Sequence, residues 1–245
     1  MNTQSHWKVF AVLYRPTPLL PHFVRHYAAL GFTDIVIAAS ELCQDIDWFA
    51  IRDAAGRGTI HVEPLYQGVF DNGRDTGVLN GLKARYIEDR HEWSAQADLD
   101  EFYEYPLPLV EMAATAGDAN CVQGWFVDRI AADGSLPPIR DDHPIAEQFP
   151  VETRITKRIL GGCDRKLILT RGFQCIHQGH HGMPNERLHP RNGRVLHYKW
   201  NAIVLDHLGE RLALREKTGY AWGHESERFL NYWREKGRIV FEDCV

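Results

Sequence analysis

Three carboxylates fall within four residues at Asp98-Leu99-Asp100-Glu101, in a stretch that begins at Trp93 and runs into Phe102-Tyr103. At the end of a strand, residues two apart project to one side, so Asp98 and Asp100 are expected to face one point. Two carboxylates that close repel unless a cation lies between them. Carboxylate oxygens suit a hard ion, Mn²⁺ or Mg²⁺, which commonly keeps open positions for substrate phosphates. The segment therefore reads as a place where a metal meets a diphosphate. The bland alternative is an acidic turn after an edge strand, since a bare D-x-D is common. A second cluster runs from Cys175 to Glu186 and holds His177, His180 and His181. Its glycines and Pro184 mark a loop, and the histidines lack helical order across all three. Three histidines offer ligands for a transition metal, although a solvated turn is the simpler reading.

The elements that must carry these groups alternate in type. Trp7 to Leu13 is a short apolar run that fits a buried strand. Thr17-Pro18 reads as a helix N-cap with proline at the first helical position. Leu20, Phe23, Val24, Tyr27 and Leu30 follow at helical spacing, and Gly31 supplies the stop. Asp34 to Ala39 and Thr59 to Val62 read as further strands. Ile46 to Ala55 and Thr76 to Asp89 read as helices, the latter with Val78, Leu79, Leu82 and Tyr86 on one side. A fourth strand then leads into Asp98. This order predicts an α/β fold with right-handed βαβ units and a mostly parallel sheet. Ligands bind such sheets beyond the carboxyl ends of the strands, where Tyr14-Arg15, Ser40-Glu41 and Asp98-Leu99-Asp100 fall.

Composition narrows the function classes. The 245 residues carry a net charge of −5, against the basic stripe of a general nucleic-acid binder. No apolar run approaches membrane-spanning length, and the polar start Met1 to His6 has no signal-peptide core, so the expected setting is the cytoplasm. The five cysteines are scattered with no Cys-x-x-Cys pair, which points to incidental or buried thiols in a reducing compartment. No Gly-x-Gly-x-x-Gly follows the first strand and no Walker A loop is present, against a dinucleotide oxidoreductase or a P-loop NTPase.

An α/β half ending in Trp-x4-Asp-x-Asp-Glu-Phe resembles the GT-A glycosyltransferases, in particular the family-2-like group with a D-x-D-E-F motif. The run Leu19 to Phe32 and a later H-[YF]-[KR] element, here His197-Tyr198-Lys199-Trp200, belong to the same resemblance, which spans about Val9 to Trp233. It implies one GT-A domain over residues 1–245, with a Rossmann-like nucleotide-sugar-binding half (1–102) and an acceptor half (103–245). It implies Asp100 as the most direct metal ligand, Asp98 near the ribose or reaching the metal through water, and His197 completing the metal shell. Lys199 would then lie near the diphosphate. The chain departs from the family pattern at Leu13 to Thr17 and at Ala38 to Asp45. There Tyr14, Arg15 and Glu41 (or Asp45) stand as candidates for holding the nucleoside of the donor, a UDP-sugar.

An inverting transfer needs a base to take the acceptor proton. Asp128, Glu147, Asp164, Glu186 and Glu225 follow the metal motif. Glu186 is the first choice because its distance from that motif is usual for inverting relatives, and His181 is the second. In Gly124 to Arg129 an aromatic pair could stack on a sugar, with Trp125 equally a core residue. Ile203 to Leu212 and Glu225 to Lys236 read as helices with apolar stripes. Arg228, Arg234, Lys236 and Arg238 give the last one a basic side, either solvated or touching an anionic polymer or the inner membrane face. The expected partners are a nucleotide-sugar and a glycan or lipid-linked acceptor. Two alternatives are a nucleotidyltransferase, which usually carries a glycine-rich basic loop after the first strand, and a binding relative that has lost activity.

Overall fold

The computed structural model describes residues 6–56, 58–65, 72–218 and 223–245, with 72–74 and 215–218 described by backbone alone. The chain forms β1 (Lys8–Leu13), α1 (Leu20–Ala29), β2 (Asp34–Ser40), α2 (Trp48–Ala55), β3 (Thr59–Leu65), α3 (Asn72–Tyr86) and β4 (Trp93–Gln96) in the expected alternation. There follow β5 (Glu101–Glu104), α4 (Leu109–Ala114), β6 (Cys121–Ile130), α5 (Ile145–Gln148), β7 (Val151–Thr153), α6 (Ile155–Arg158) and β8 (Arg165–Arg171). β9 (Gly193–His197), α7 (Val204–Thr218) and α8 (Gly223–Lys236) complete the chain.

The sheet order is β3-β2-β1-β4-β8-β6-β9-β5, with β7 paired to β6. β3, β2, β1 and β4 are mutually parallel, as the strand–helix alternation requires. β8 then pairs antiparallel with β4 and with β6. The contacts do not divide the chain at residue 102. One compact unit takes in the chain up to Trp125 together with Arg165–Val195, and the other is Phe126–Asp164 with Leu196–Val245.

In the first unit β1 and β2 are almost wholly buried, which explains their continuous apolar runs in place of alternation. Phe10, Val36 and Ala38 pack with Leu79, Leu82 and Ile87, so α3 covers this side of the parallel strands with its expected apolar face. On α1, Phe23 and Tyr27 are fully buried, and Phe23 meets Phe102 edge-on at 6.2 Å. Thr17-Pro18 does not open this helix. It begins at Leu20, with proline in its first turn, while Thr17 Oγ1 accepts from Leu19 N at 3.3 Å in the preceding turn. Gly31, at φ +97°, ends it in the left-handed region that glycine enters without strain.

The core of the second unit gathers Ile130, Ile155, Trp200, Val204, Leu208 and Phe229, so the stripes of α7 and α8 are core, as read. His197-Tyr198-Lys199-Trp200 is not a continuous strand: β9 stops at His197, and Asn201 Nδ2 donates to the carbonyls of Tyr198 and Lys199 at 2.9 and 3.2 Å, closing a turn. All five cysteines are free thiols; burial pushes those of Cys121 and Cys244 up to about 12, so both are inert.

Candidate functional site

The carboxylate motif sits where β4 ends, but not as a strand. Glu101 N donates to Asp98 O at 2.9 Å, so Asp98 to Glu101 is a β-turn with Leu99 and Asp100 at its centre. Two-residue alternation does not hold in a turn, and the expectation that Asp98 and Asp100 face one point for that reason fails. The cation that meets Asp98 is a lysine. Lys166 Nζ lies 2.7 Å from Asp98 Oδ2 and 2.5 and 2.6 Å from the two Glu101 oxygens. Lys166 and Glu101 are buried, whereas the Asp98 side chain is 55% exposed. Burial alone would lower the Lys166 ammonium, but the charges of Asp98 and Glu101 override it and hold the pKa above the usual lysine value. Lys166 is thus a fixed positive charge under the turn. Tyr103 hydroxyl donates to Gln96 O at 2.5 Å and Tyr27 hydroxyl to Glu101 O at 3.0 Å, so the aromatic frame pins the turn from both sides.

The other strand ends carry the nucleoside candidates. Tyr14 follows β1, and its hydroxyl donates to Asp75 of α3. Arg15 is exposed. Ser40 Oγ donates to Tyr14 O and also accepts from Leu42 N at 3.2 Å, which ties the β1 and β2 ends together and leaves Glu41 exposed at the start of a short 3-10 turn. Asp45 is exposed too.

The histidine-rich loop is tethered at both ends by asparagine amides. Asn80 of α3 exchanges two 3.0 Å hydrogen bonds with the backbone of Ile176. Asn120 donates to Asn185 O at 2.9 Å and accepts from Arg187 N at 2.8 Å. Among the described residues, His177, His180 and His181 form no converging ligand set. His180 is buried at φ +60°, and burial followed by the charge of Lys166 takes its pKa down to about 3. His181 is half-buried and faces the carbonyl of Arg165 at 2.6 Å through Nδ1. A carbonyl only accepts, so Nδ1 carries the proton and Nε2 a lone pair. Burial, then Lys166, lowers the His181 pKa, which keeps the ring neutral at pH 7 and able to accept a proton. Glu186 is half-buried in the same loop, with Oε2 3.5 Å from where a Cβ on Gly182 would stand.

In the second unit His197 is held by a carboxylate the sequence offered as a base. Asp128 is fully buried on β6 and cannot meet an acceptor. Its Oδ1 accepts from His197 Nδ1, Trp200 Nε1 and Thr156 Oγ1, each at 2.8 Å, and its Oδ2 accepts from Thr156 N at 2.7 Å. Burial by itself would raise this carboxyl, but the His197 hydrogen bond and charge, then the Thr156 N–H and the Trp200 indole, outweigh it and hold the pKa below the ordinary value. Lys199 lies over the Trp200 ring, 5.5 Å from its centroid. Of the other base candidates, Asp164 is bound by Arg154 at 2.9 Å and Glu147 is exposed on α5. Glu225 lies 2.9 Å from where a Cβ on Gly162 would stand. The basic side of α8 is partly spent, since Arg228 donates to Leu160 O and Lys236 pairs with Glu235 at 2.9 Å.

No protein-family model matches the chain. No curated protein matches it either. Among solved structures, it is similar to a 4-diphosphocytidyl-2C-methyl-D-erythritol synthase at 9% identity and TM-score 0.39, over 69% of this chain and 76% of that one. HddC from Yersinia pseudotuberculosis gives 14% identity and TM-score 0.35, over 78% and 77% of the two chains. The same protein complexed with GMP-PN gives 12% and 0.33, over 78% and 73%. At these values the likeness carries neither a family nor an activity.

Two residues of the site escaped the sequence reading. Lys166 stood in an apolar strand as one charge among Leu167, Ile168 and Leu169, and a charge inside a buried run is the trace by which it could have been found. Asp128, a base candidate by sequence, is a buried hydrogen-bond acceptor in the structure. Trp125, weighed as core or sugar platform, is 43% exposed and so is not core. No helix among the described residues is long and apolar enough to cross a membrane.

Proposed function

We propose that this chain is a metal-dependent transferase acting on a nucleotide diphosphate, and within that class a glycosyltransferase that moves a sugar from a nucleotide-sugar to a glycan or lipid-linked acceptor. The observation that carries the reading is the position of the Asp98–Glu101 turn, at the carboxyl end of a parallel strand next to β1, where α/β sheets bind ligands. The donor types suit a divalent ion: a carboxylate at Asp100 is one proposed ligand, and the resemblance adds the imidazole of His197 as another. Mn²⁺ accepts this mixture of oxygen and imidazole more readily than Mg²⁺. Bound there, the ion would offset the charge that grows on the departing diphosphate. Lys199 is the proposed second charge toward that leaving group. Tyr14, Arg15 and Glu41 are proposed for the nucleoside, with uridine first among the bases. Asp98, held by Lys166, is proposed for the ribose.

In the transfer, the acceptor oxygen forms a bond to the anomeric carbon as the bond from that carbon to the diphosphate breaks. The hydroxyl proton passes to a base, for which Glu186 and His181 are the candidates. Replacing the true base by glutamine is expected to lower kcat by about 10²–10⁴-fold. If that base is His181, kcat should rise with pH through a value below the ordinary 6.5 of histidine and then level off.

The second reading is nucleotidyl transfer, in which a sugar phosphate attacks the α-phosphorus of a nucleoside triphosphate and pyrophosphate leaves. It shares the α/β half and the metal dependence of the first reading. The glycine-free loop Leu13 to Pro18 speaks against it. Calorimetric titration of UDP and GDP, with and without Mn²⁺, on the wild type and on Asp100→Asn tests the shared core. Metal-dependent binding lost in the variant supports a transferase of this class, and no binding of either nucleotide speaks against it. Release of UDP from a UDP-sugar then favours glycosyl transfer, whereas release of pyrophosphate from CTP or GTP with a sugar phosphate favours the second reading.

A further inference from the structure

We propose that Arg90, His91 and Arg171 form a binding site for a phosphate group, at the opposite end of β4 from the Asp98–Glu101 turn. The observation behind it is a meeting of hydrogen-bond donors. Arg171 Nη2 lies 2.8 Å from His91 Nδ1, and Arg90 Nε lies 3.2 Å from His91 Nε2. A guanidinium can only donate, and a neutral imidazole accepts at just one of its two nitrogens. At least one of these contacts therefore sets N–H against N–H, and a charged ring makes it both. No carboxylate relieves the crowding: among the described residues, neither guanidinium forms an ion pair. The acids of the same turn are engaged elsewhere. Asp89 Oδ1 accepts from His91 N at 2.8 Å. Glu92 accepts from the backbone N–H groups of Glu88 and Asp89 through Oε1, and from Lys8 at 2.7 Å through Oε2.

The backbone holds these groups together. Trp93 and Arg171 are directly opposed on the antiparallel strands β4 and β8, and the Arg171 guanidinium stands 5.9 Å from the centroid of the buried Trp93 ring. Its Nη1 reaches Gly117 O at 3.5 Å. Gly172 N donates to Glu92 O at 2.7 Å, and Glu92 N donates to Asp89 O at 3.1 Å, which closes the turn that carries Arg90 and His91. Gly172 is at φ +68°, and a Cβ there would stand 2.5 Å from Arg90 O, so glycine is what lets the two segments approach this closely. Arg90 and His91 are exposed and Arg171 is half-buried, so a ligand reaches them from solvent. A phosphate suits them better than a carboxylate. Its several oxygens accept from two guanidinium forks and the ring at once, and its charge offsets both arginines. The site has no part in the transfer reading and stands or falls without it.

Titration of the full chain with inorganic phosphate in EDTA, followed by ¹H–¹⁵N shifts of backbone amides and arginine Nε groups, tests the proposal. EDTA removes the metal that the proposed donor site needs, so binding there does not contribute. Saturable shifts are expected at residues 89–93 and 171–173, with affinity weakened at least about tenfold in Arg90→Gln and in Arg171→Gln. Arg90 is exposed, so its variant keeps the test intact if Arg171→Gln loses its packing over Trp93 and unfolds. Arg15→Gln should bind phosphate as the wild type does. No saturable shifts in the wild type, unchanged affinity in folded Arg90→Gln, or shifts centred on Arg15 overturns the proposal. Sedimentation with phosphatidic acid vesicles, against phosphatidylcholine alone, then identifies what carries the phosphate. Binding that free phosphate competes away and Arg90→Gln loses supports the site with a lipid headgroup as its ligand. Phosphate binding without vesicle binding supports it with a small soluble phosphate.

Discussion

Lys166 stands where a divalent cation was expected beside Asp98. Crowded carboxylates need positive charge, and here the chain itself supplies it. The lysine lies 68 residues further on, and no local pattern links it to the motif. Lys166→Met should destabilise the protein by about 3–5 kcal/mol, because Glu101 stays buried without a partner. Lys166→Met combined with Glu101→Gln should recover much of that loss in urea unfolding, and a double variant no better than the single one would disprove the pairing. The same logic explains what could be read in advance. Asp98 and Asp100 stand out as candidates because chemistry is written in their side-chain types, and His197 because of the resemblance. Asp128's task does not, because it consists of four donors brought from three later segments.

Among the elements, β1, β2, β3 and α2 lie within a few residues of their expected places, since each is a run with a clear apolar period. The errors fall at ends and turns. Thr17-Pro18 has the composition of a cap and is used two residues early, and β9 stops at His197 because Asn201 captures the carbonyls beyond it. Glycines give two opposite predictions. Gly134 sits at φ +73°, and a Cβ there would stand 2.0 Å from the Ile239 carbonyl oxygen, so Gly134→Ala should cost at least about 2 kcal/mol in urea unfolding. Gly81 is exposed on α3 with nothing within 4 Å of an added Cβ, and Gly81→Ala should stabilise by about 0.5–1 kcal/mol. Equal effects in the two variants would contradict this account of the backbone.

For the whole molecule, proton and metal linkage make the remaining predictions. Burial takes His26 down to about 4 and His180 to about 3, against 6.5 for the unfolded chain. Between those values the unfolded state binds more protons, so stability rises with pH there; it is complete above about 6.5 and drains away as pH falls toward 3. His26→Phe should flatten part of that slope in denaturation midpoints taken from pH 7 to 4. Mn²⁺ at one hundred times its dissociation constant should add about 2.7 kcal/mol and raise Tm by roughly 5–10 °C in the wild type but not in Asp100→Asn. The α/β architecture was open to the sequence; the place of β8, a late strand set between β4 and β6, was hidden because nothing local announces a long-range partner. That insertion bears on the order of events at the ribosome. A nascent chain that has emerged only as far as Trp125 holds β1 to β4 with one flank of β4 open, and the flank closes when residues 165–171 arrive. For the time taken to make some forty residues the growing protein exposes an unpaired strand edge, the kind of surface that chaperones shield and that other chains can add to.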